Sequence, residues 1–173
     1  MRGSGGQLTF AGQPSGEVIM KTTGGKSDPR VAEAINHAID LNSKGHIELA
    51  VQHLSALIAE FPTVASIRGY IALFLFNSGR FDEAIEHGRK AVLLAPKSEK
   101  ASLLLHAALW SAGKRIEALD EVKRFLALRP SEEYSKMINE WKLGEEDAKS
   151  IGSAIEAAKR AVIEDDRKKG WLT

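Results

Sequence analysis

The sequence predicts an all-α protein built as a stack of helix pairs, and two observations carry this prediction. From Pro29 onward the chain is rich in helix-forming residues, and its apolar side chains recur at intervals of three and four. Four residue types also repeat three times at a period of 34 residues. The four columns are Gly45, Gly79 and Gly113; Ala50, Ala84 and Ala118; Pro62, Pro96 and Pro130; and Leu41, Leu75 and Leu109.

Three of these columns have a clear mechanical role in a helix pair. Glycine ends the first helix, where a left-handed backbone conformation favours it. Alanine lies in the second helix where two helices cross closely, because a larger side chain would push them apart. Proline follows the second helix and stops it. The predicted unit is therefore a helix, a tight turn, a second helix and a second tight turn.

The period also divides the chain into domains. Residues 1–29 are rich in Gly, Ser and Thr and are expected to form a flexible N-terminal arm. Pro29 suits the first turn of a helix capped by Asp28 or Ser27. Residues 131–173 lose the period and are expected to form C-terminal capping helices and a tail, with Ser131 as a helix cap. Between them lie three expected units, at 30–62, 63–96 and 97–130.

The middle unit resembles a tetratricopeptide repeat. The run GRFDEAI at residues 79–85 and the run AVLLAP at residues 91–96 are typical of that family. The large aromatic residue that the family places early in the first helix is replaced by Ala34, Arg68 and Ser102. The resemblance covers about residues 30–130. It implies a right-handed helical repeat stack, an α-solenoid, whose first helices line a groove that binds proteins.

The resemblance also implies which residues line this groove. The predicted partner-binding residues are Ile35, Ile39, Asn42, Leu73, Phe76, Asn77, Lys100, Leu103, Ala107 and Trp110. They include an apolar stripe, which in a water-facing surface marks a partner site. Phe76 and Trp110 recur at one repeat position and are typical anchors of binding energy.

Three interpretations of the stripe stay open. It binds a protein or peptide partner, it is covered by the chain itself or by a second copy in a homodimer, or the helix phase is shifted. For self-coverage, the arm offers Leu8, Phe10 and the apolar run 18–20.

Some family members bind acidic C-termini through a cationic clamp. The corresponding positions hold Ile35, Ile39, Tyr70, Lys100 and Leu104, so a clamp is not predicted. The arrangement is also similar to three-repeat bacterial secretion chaperones.

Composition excludes several other classes. The absence of cysteine removes disulfides and thiolate chemistry, and a net charge of +1 with dispersed basic residues does not favour nucleic acid. No run reaches the roughly 18–20 apolar residues of a membrane helix, so no membrane insertion is predicted. The N-terminal segment lacks a continuous apolar region, so no signal peptide is predicted and a cytoplasmic location is expected.

Catalytic and cofactor motifs are also missing. Gly24 to Ser27 resemble only the end of a phosphate-binding loop. His53 and His87 are expected to be surface residues, whereas His37 and His106 are expected to point inward. We therefore predict no cofactor, no metal and no enzymatic activity. The predicted function is that of an adaptor or chaperone, with a structural subunit of an assembly and an enzyme of unrecognised type as the alternatives.

Overall fold

The computed structural model describes residues 28–140 and 145–168, and the regular structure within those ranges is entirely α-helical. The helices are α1 (Pro29–Ser43), α2 (Ile47–Glu60), α3 (Ala65–Asn77), α4 (Phe81–Leu94), α5 (Glu99–Ser111), α6 (Arg115–Leu126), α7 (Glu132–Glu140) and α8 (Glu145–Lys168). This confirms the predicted all-α repeat stack with C-terminal capping helices. The predicted arm, except for its last two residues, lies outside the described residues. Leu8, Phe10, the apolar run 18–20 and the Gly24–Ser27 motif therefore also lie outside them.

The helix ends follow the chemistry of the sequence. Pro29 occupies the first turn of α1, and the Asp28 carboxylate accepts a hydrogen bond from the Arg30 backbone N–H at 2.9 Å. The Ser131 hydroxyl caps α7 in the same way, at 3.0 Å from the Tyr134 backbone nitrogen. The repeated glycines occupy the turns within the pairs with φ of 81°, 79° and 77°, a conformation that L side chains rarely adopt.

The packing of the helices defines two layers. Consecutive helices pack against each other from α1 to α6, and α8 packs against α6. The first helices also touch directly, α1 on α3 and α3 on α5. No comparable packing joins α2 to α4 or α4 to α6 in the described part of the chain. The first helices therefore form a close inner layer and the second helices a splayed outer layer, so the inner layer presents the concave surface.

The repeated columns form the centre of the core. Ala50, Ala84 and Ala118 have no exposed surface, which agrees with their predicted role at close helix crossings. Leu75 and Leu109 are each 1% exposed, and burying a leucine fully stabilises a fold by about 1.5–3 kcal/mol. A second, smaller apolar cluster joins α6 to the capping helices through its buried members Val122, Phe125, Leu126, Tyr134 and Ile151.

The described helices include none that is both long enough and apolar enough to cross a membrane.

Candidate partner-binding groove

The floor of the concave layer is a row of three apolar residues at equivalent repeat positions. Ile39 lies on α1, Leu73 on α3 and Ala107 on α5. Ile39 and Leu73 are half-buried and pack on the main core cluster, whereas Ala107 is 7% exposed. Because the three helices touch in order, these residues lie in a row across the layer. We call Ile39, Leu73 and Ala107 the floor row.

A polar row runs beside the floor row, one helical turn further along each helix. It consists of Ser43, Asn77 and Ser111, and all three residues are exposed. We call these residues the rim row. Hydroxyl and amide groups donate and accept hydrogen bonds, so they can satisfy the backbone of a segment lying on an apolar floor. An apolar centre with a polar rim is the usual composition of a protein-binding surface.

Two of the predicted groove residues lie deeper than the sequence prediction placed them. Ile35 is only 9% exposed and belongs to the main core cluster, and Ala107 is slightly more deeply buried, at 7%. The reason is the direct packing of α1 on α3 and of α3 on α5, which covers side chains pointing between neighbouring first helices. Ile35 therefore supports the floor rather than offering surface.

The two predicted aromatic anchors lie at the turn end of the layer. Each packs onto the first residue of the helix that follows. The Phe76 ring lies 5.6 Å from the Phe81 ring, and the Trp110 ring carries the Arg115 guanidinium at 3.7 Å from its centre. Phe76 is half-buried against the core, whereas Trp110 is 37% exposed. Asn42, half-buried, holds the equivalent position in the first unit.

The last predicted groove residues lie toward the cap. Leu103 is half-buried and packs on the second apolar cluster, and Lys100 is exposed. At the family's clamp positions, Tyr70 and Leu104 are 8% and 4% exposed. Lys100 is the single cation among those five positions. That no cationic clamp forms here stays a prediction from the sequence.

The burial of the histidines differs in part from the sequence prediction. His106 is buried as expected, its Nδ1–H donates to the Ala118 carbonyl at 3.1 Å, and burial lowers its pKa. His37, however, is exposed, and its ring meets the edge of the His53 ring at 4.8 Å. His53 and His87 are half-buried rather than on the surface. Their Nε2 and Nδ1 atoms, respectively, are buried without a hydrogen-bond partner among the described residues.

The described residues contain no cluster of three or more acidic or histidine side chains that could hold a metal ion.

A buried polar network joins the third helix pair to the cap, and the sequence analysis missed it. The Ser102 hydroxyl donates to Glu121 at 2.5 Å, and the Tyr134 hydroxyl lies 2.8 Å from the Ser102 oxygen. Arg124 donates two hydrogen bonds to Glu121, each at 2.7 Å. Burial raises the pKa of Tyr134. The sequence did contain one indication of this network: Glu121 stands at the repeat position that His53 and His87 hold in the first two units.

Several solved structures share this architecture. A mutant of MamA is 26% identical, with 61% of this chain and 77% of that chain covered and a TM-score of 0.51. The type III secretion translocator chaperone SycD of Yersinia enterocolitica, described as an alternative dimer, is 16% identical, with 78% and 96% covered and a TM-score of 0.52. The tetratricopeptide repeat domain of Sgt2 from Aspergillus fumigatus is 16% identical, with 81% and 83% covered and a TM-score of 0.54.

No protein-family model matches the chain, and no curated protein matches it in sequence. Because SycD and Sgt2 are each only 16% identical to this chain, their likeness to it concerns the fold alone.

Proposed function

We propose that this chain, a tetratricopeptide-like helical repeat protein, is an adaptor or chaperone that holds an apolar segment of a partner protein in its concave groove. The observation that carries the proposal is the floor row. Ile39 and Leu73 stay half-buried on the inner layer, whereas the exposed side chains of α4 in the outer layer are mostly charged. Apolar side chains retained on a concave surface favour a partner segment that completes their burial.

The size of the groove limits the length of the segment. Packed helix axes lie about 8–10 Å apart, so three first helices span roughly 16–20 Å. An extended chain rises about 3.3 Å per residue, so about six residues cross the whole floor. The rim row, Ser43, Asn77 and Ser111, then lies along one side of the segment and supplies hydrogen bonds to its backbone. A short apolar stretch with uncharged flanks fits this surface best.

The groove carries too little positive charge to favour an acidic segment. Lys100 is the single basic residue among the predicted groove positions, and the floor row carries no charge. Apolar burial and backbone hydrogen bonds therefore supply the affinity, at about 25 cal/mol per Å² of apolar surface removed from water. The likeness to a secretion chaperone supports the same class of function, because holding an apolar segment of a client away from water is the work of a chaperone.

Site-specific photocrosslinking tests the proposal. A photoreactive amino acid replaces Leu73 on the floor row in one variant and Leu93 in the other. Leu93 is the matched control, because it is a leucine of α4 with 81% exposure on the outer layer. We expect Leu73 to capture a discrete protein segment rich in apolar residues and Leu93 to capture none. Capture of the same proteins from both positions, or from Leu93 alone, contradicts the proposal.

A further inference from the structure

The turns within the helix pairs line up along one edge of the stack, and ion pairs connect them. We call this edge, formed by residues 45–49, 79–83 and 113–117, the turn edge. The Arg80 guanidinium pairs with Glu48 of the preceding unit. Lys114 pairs in the same way with Asp82, at 2.8 Å. In each case the basic residue directly after a turn glycine reaches the acid that lies three residues after the preceding turn glycine.

The third unit departs from this pattern. The first two units begin their second helix with an apolar residue followed by an acid, Ile47-Glu48 and Phe81-Asp82. The third reverses the order of charged and apolar residues, and its charged residue is basic, Arg115-Ile116. Ile116 consequently stands 77% exposed, although isoleucine is among the residues most often buried. The inversion leaves a large apolar side chain in water where the other units place a carboxylate.

The Arg115 side chain is positioned by an aromatic ring rather than by an ion pair with a carboxylate. Its guanidinium stacks on the Trp110 ring at 3.7 Å, a contact that restrains the side chain. Arg115 forms no ion pair with another residue in the described part of the chain, whereas Arg80 pairs with Glu48 and Glu83, and Arg124 pairs with Glu121. A guanidinium held on an aromatic ring keeps its N–H donors directed outward and suits a carboxylate.

The opposite end of the turn edge has features complementary to Arg115 and Ile116. Leu49 is 52% exposed, and the Glu48 side chain is 78% exposed even though it pairs with Arg80. Beside them lies an open concavity of about 430 Å³, lined by Gly45, His46, Ile47, Glu48, Leu49 and Ser78. One end of the edge thus offers an acid, a leucine and a hollow, and the other offers a cation and a projecting isoleucine.

We propose that two copies of the chain pair through their turn edges in antiparallel orientation. Ile116 of one copy enters the concavity beside Leu49 of the other, and Arg115 meets Glu48. Two-fold symmetry repeats both contacts, because the first unit of each copy faces the third unit of its partner. The middle turn, which carries both Arg80 and Asp82, faces itself across the axis. The groove lies on the first-helix layer, so the dimer can be refuted without refuting the proposed function, and the reverse also holds.

Two single substitutions test the dimer in the full chain. Ile116→Glu introduces the kind of residue that the first two units already carry at this position, and Leu49→Lys changes an exposed side chain. Sedimentation velocity or light scattering then measures the mass against 18.8 kDa for one chain. We expect the parent at twice that mass. Each variant is expected to dimerise roughly a hundredfold more weakly, since a loss of about tenfold per contact occurs at both contacts.

Mixing the two variants is the decisive experiment. In the mixed dimer the glutamate introduced at position 116 of one copy meets the lysine introduced at position 49 of the other, and the second contact is the parental one. The dimer mass therefore returns on mixing. A monomeric parent, unchanged variants, a mixture that stays monomeric, or assemblies larger than a dimer each overturn the proposal.

Two further variants serve as controls. Leu93→Lys, at an exposed position outside the turn edge, leaves the dimer intact if the turn edge is the interface. Unchanged circular dichroism separates lost pairing from lost folding. If either principal variant unfolds, Arg115→Glu tests the same contact, and retention of the dimer mass in that variant overturns the proposal.

Discussion

Replacing Gly88 by alanine tests how closely the second and third helix pairs stack. Gly88 is buried in the middle of α4, and a Cβ built on it would lie 3.4 Å from Leu105 Cδ1 and 3.6 Å from Leu105 Cα. These are ordinary van der Waals distances, so α5 need not move. Glycine within a helix costs about 0.8–1.0 kcal/mol relative to alanine, and the new methyl group gains up to about 0.8 kcal/mol from burial. We expect Gly88→Ala to stabilise the protein by about 1–1.5 kcal/mol.

Gly152→Ala is the matched control for helix propensity. Gly152 lies within α8, and a Cβ at this position would meet no atom within 4 Å. Its substitution is expected to gain at most about 1 kcal/mol, the propensity term alone. Equilibrium urea unfolding measures both variants against the parent, and the difference between them isolates the packing of the new methyl group on Leu105. Destabilisation by Gly88→Ala, with Gly152→Ala stabilising, would show that α4 and α5 approach more closely than described and would refute the argument.

Three further predictions concern the core and the cap. Ala84→Leu is expected to overpack a site with no exposed surface and to lower the free energy of unfolding by about 1–3 kcal/mol in urea titrations; unchanged stability would contradict a close crossing there. Tyr134→Phe removes the hydroxyl 2.8 Å from Ser102 and is expected to cost about 1 kcal/mol, whereas an unchanged melting temperature would exclude a role of this bond in holding α7. Burial lowers the pKa of His106, so the unfolded chain binds the proton more readily and stability falls as pH drops below about 6.5. His106→Asn should flatten this loss in melting curves recorded between about pH 7 and pH 5, and an equally steep loss would contradict it.

The repeat columns made the stack predictable from the sequence. Glycine at 45, 79 and 113 predicts a left-handed backbone conformation at each turn, and the positive φ angles confirm it. Ala84 and its equivalents specify close crossings through their size alone. These are local rules that act within one helix pair, so a single sequence contains all the information they need.

The exposure of the groove residues depends on packing between pairs and was less predictable. Ile35 follows the same helical spacing as Ile39, but the contact of α1 with α3 buries the first and leaves the second half-open. The network of Ser102, Glu121 and Tyr134 was missed for a related reason. Tyr134 lies beyond Pro130, where the period fades, so no repeat column indicated that it would pack against α5.

The affinity of the groove for its partner segment tests the central claim most directly. The segment captured at Leu73, prepared as a synthetic peptide, is titrated into the parent and into two matched variants, Leu73→Ala and Leu93→Ala. Both remove the same atoms, one from the floor row and one from an outer residue that is 81% exposed. Loss of a groove contact of about 1.4–2.8 kcal/mol weakens binding by roughly tenfold to a hundredfold for Leu73→Ala. The account predicts that loss together with parental affinity for Leu93→Ala, whereas equal affinities in all three proteins would contradict it.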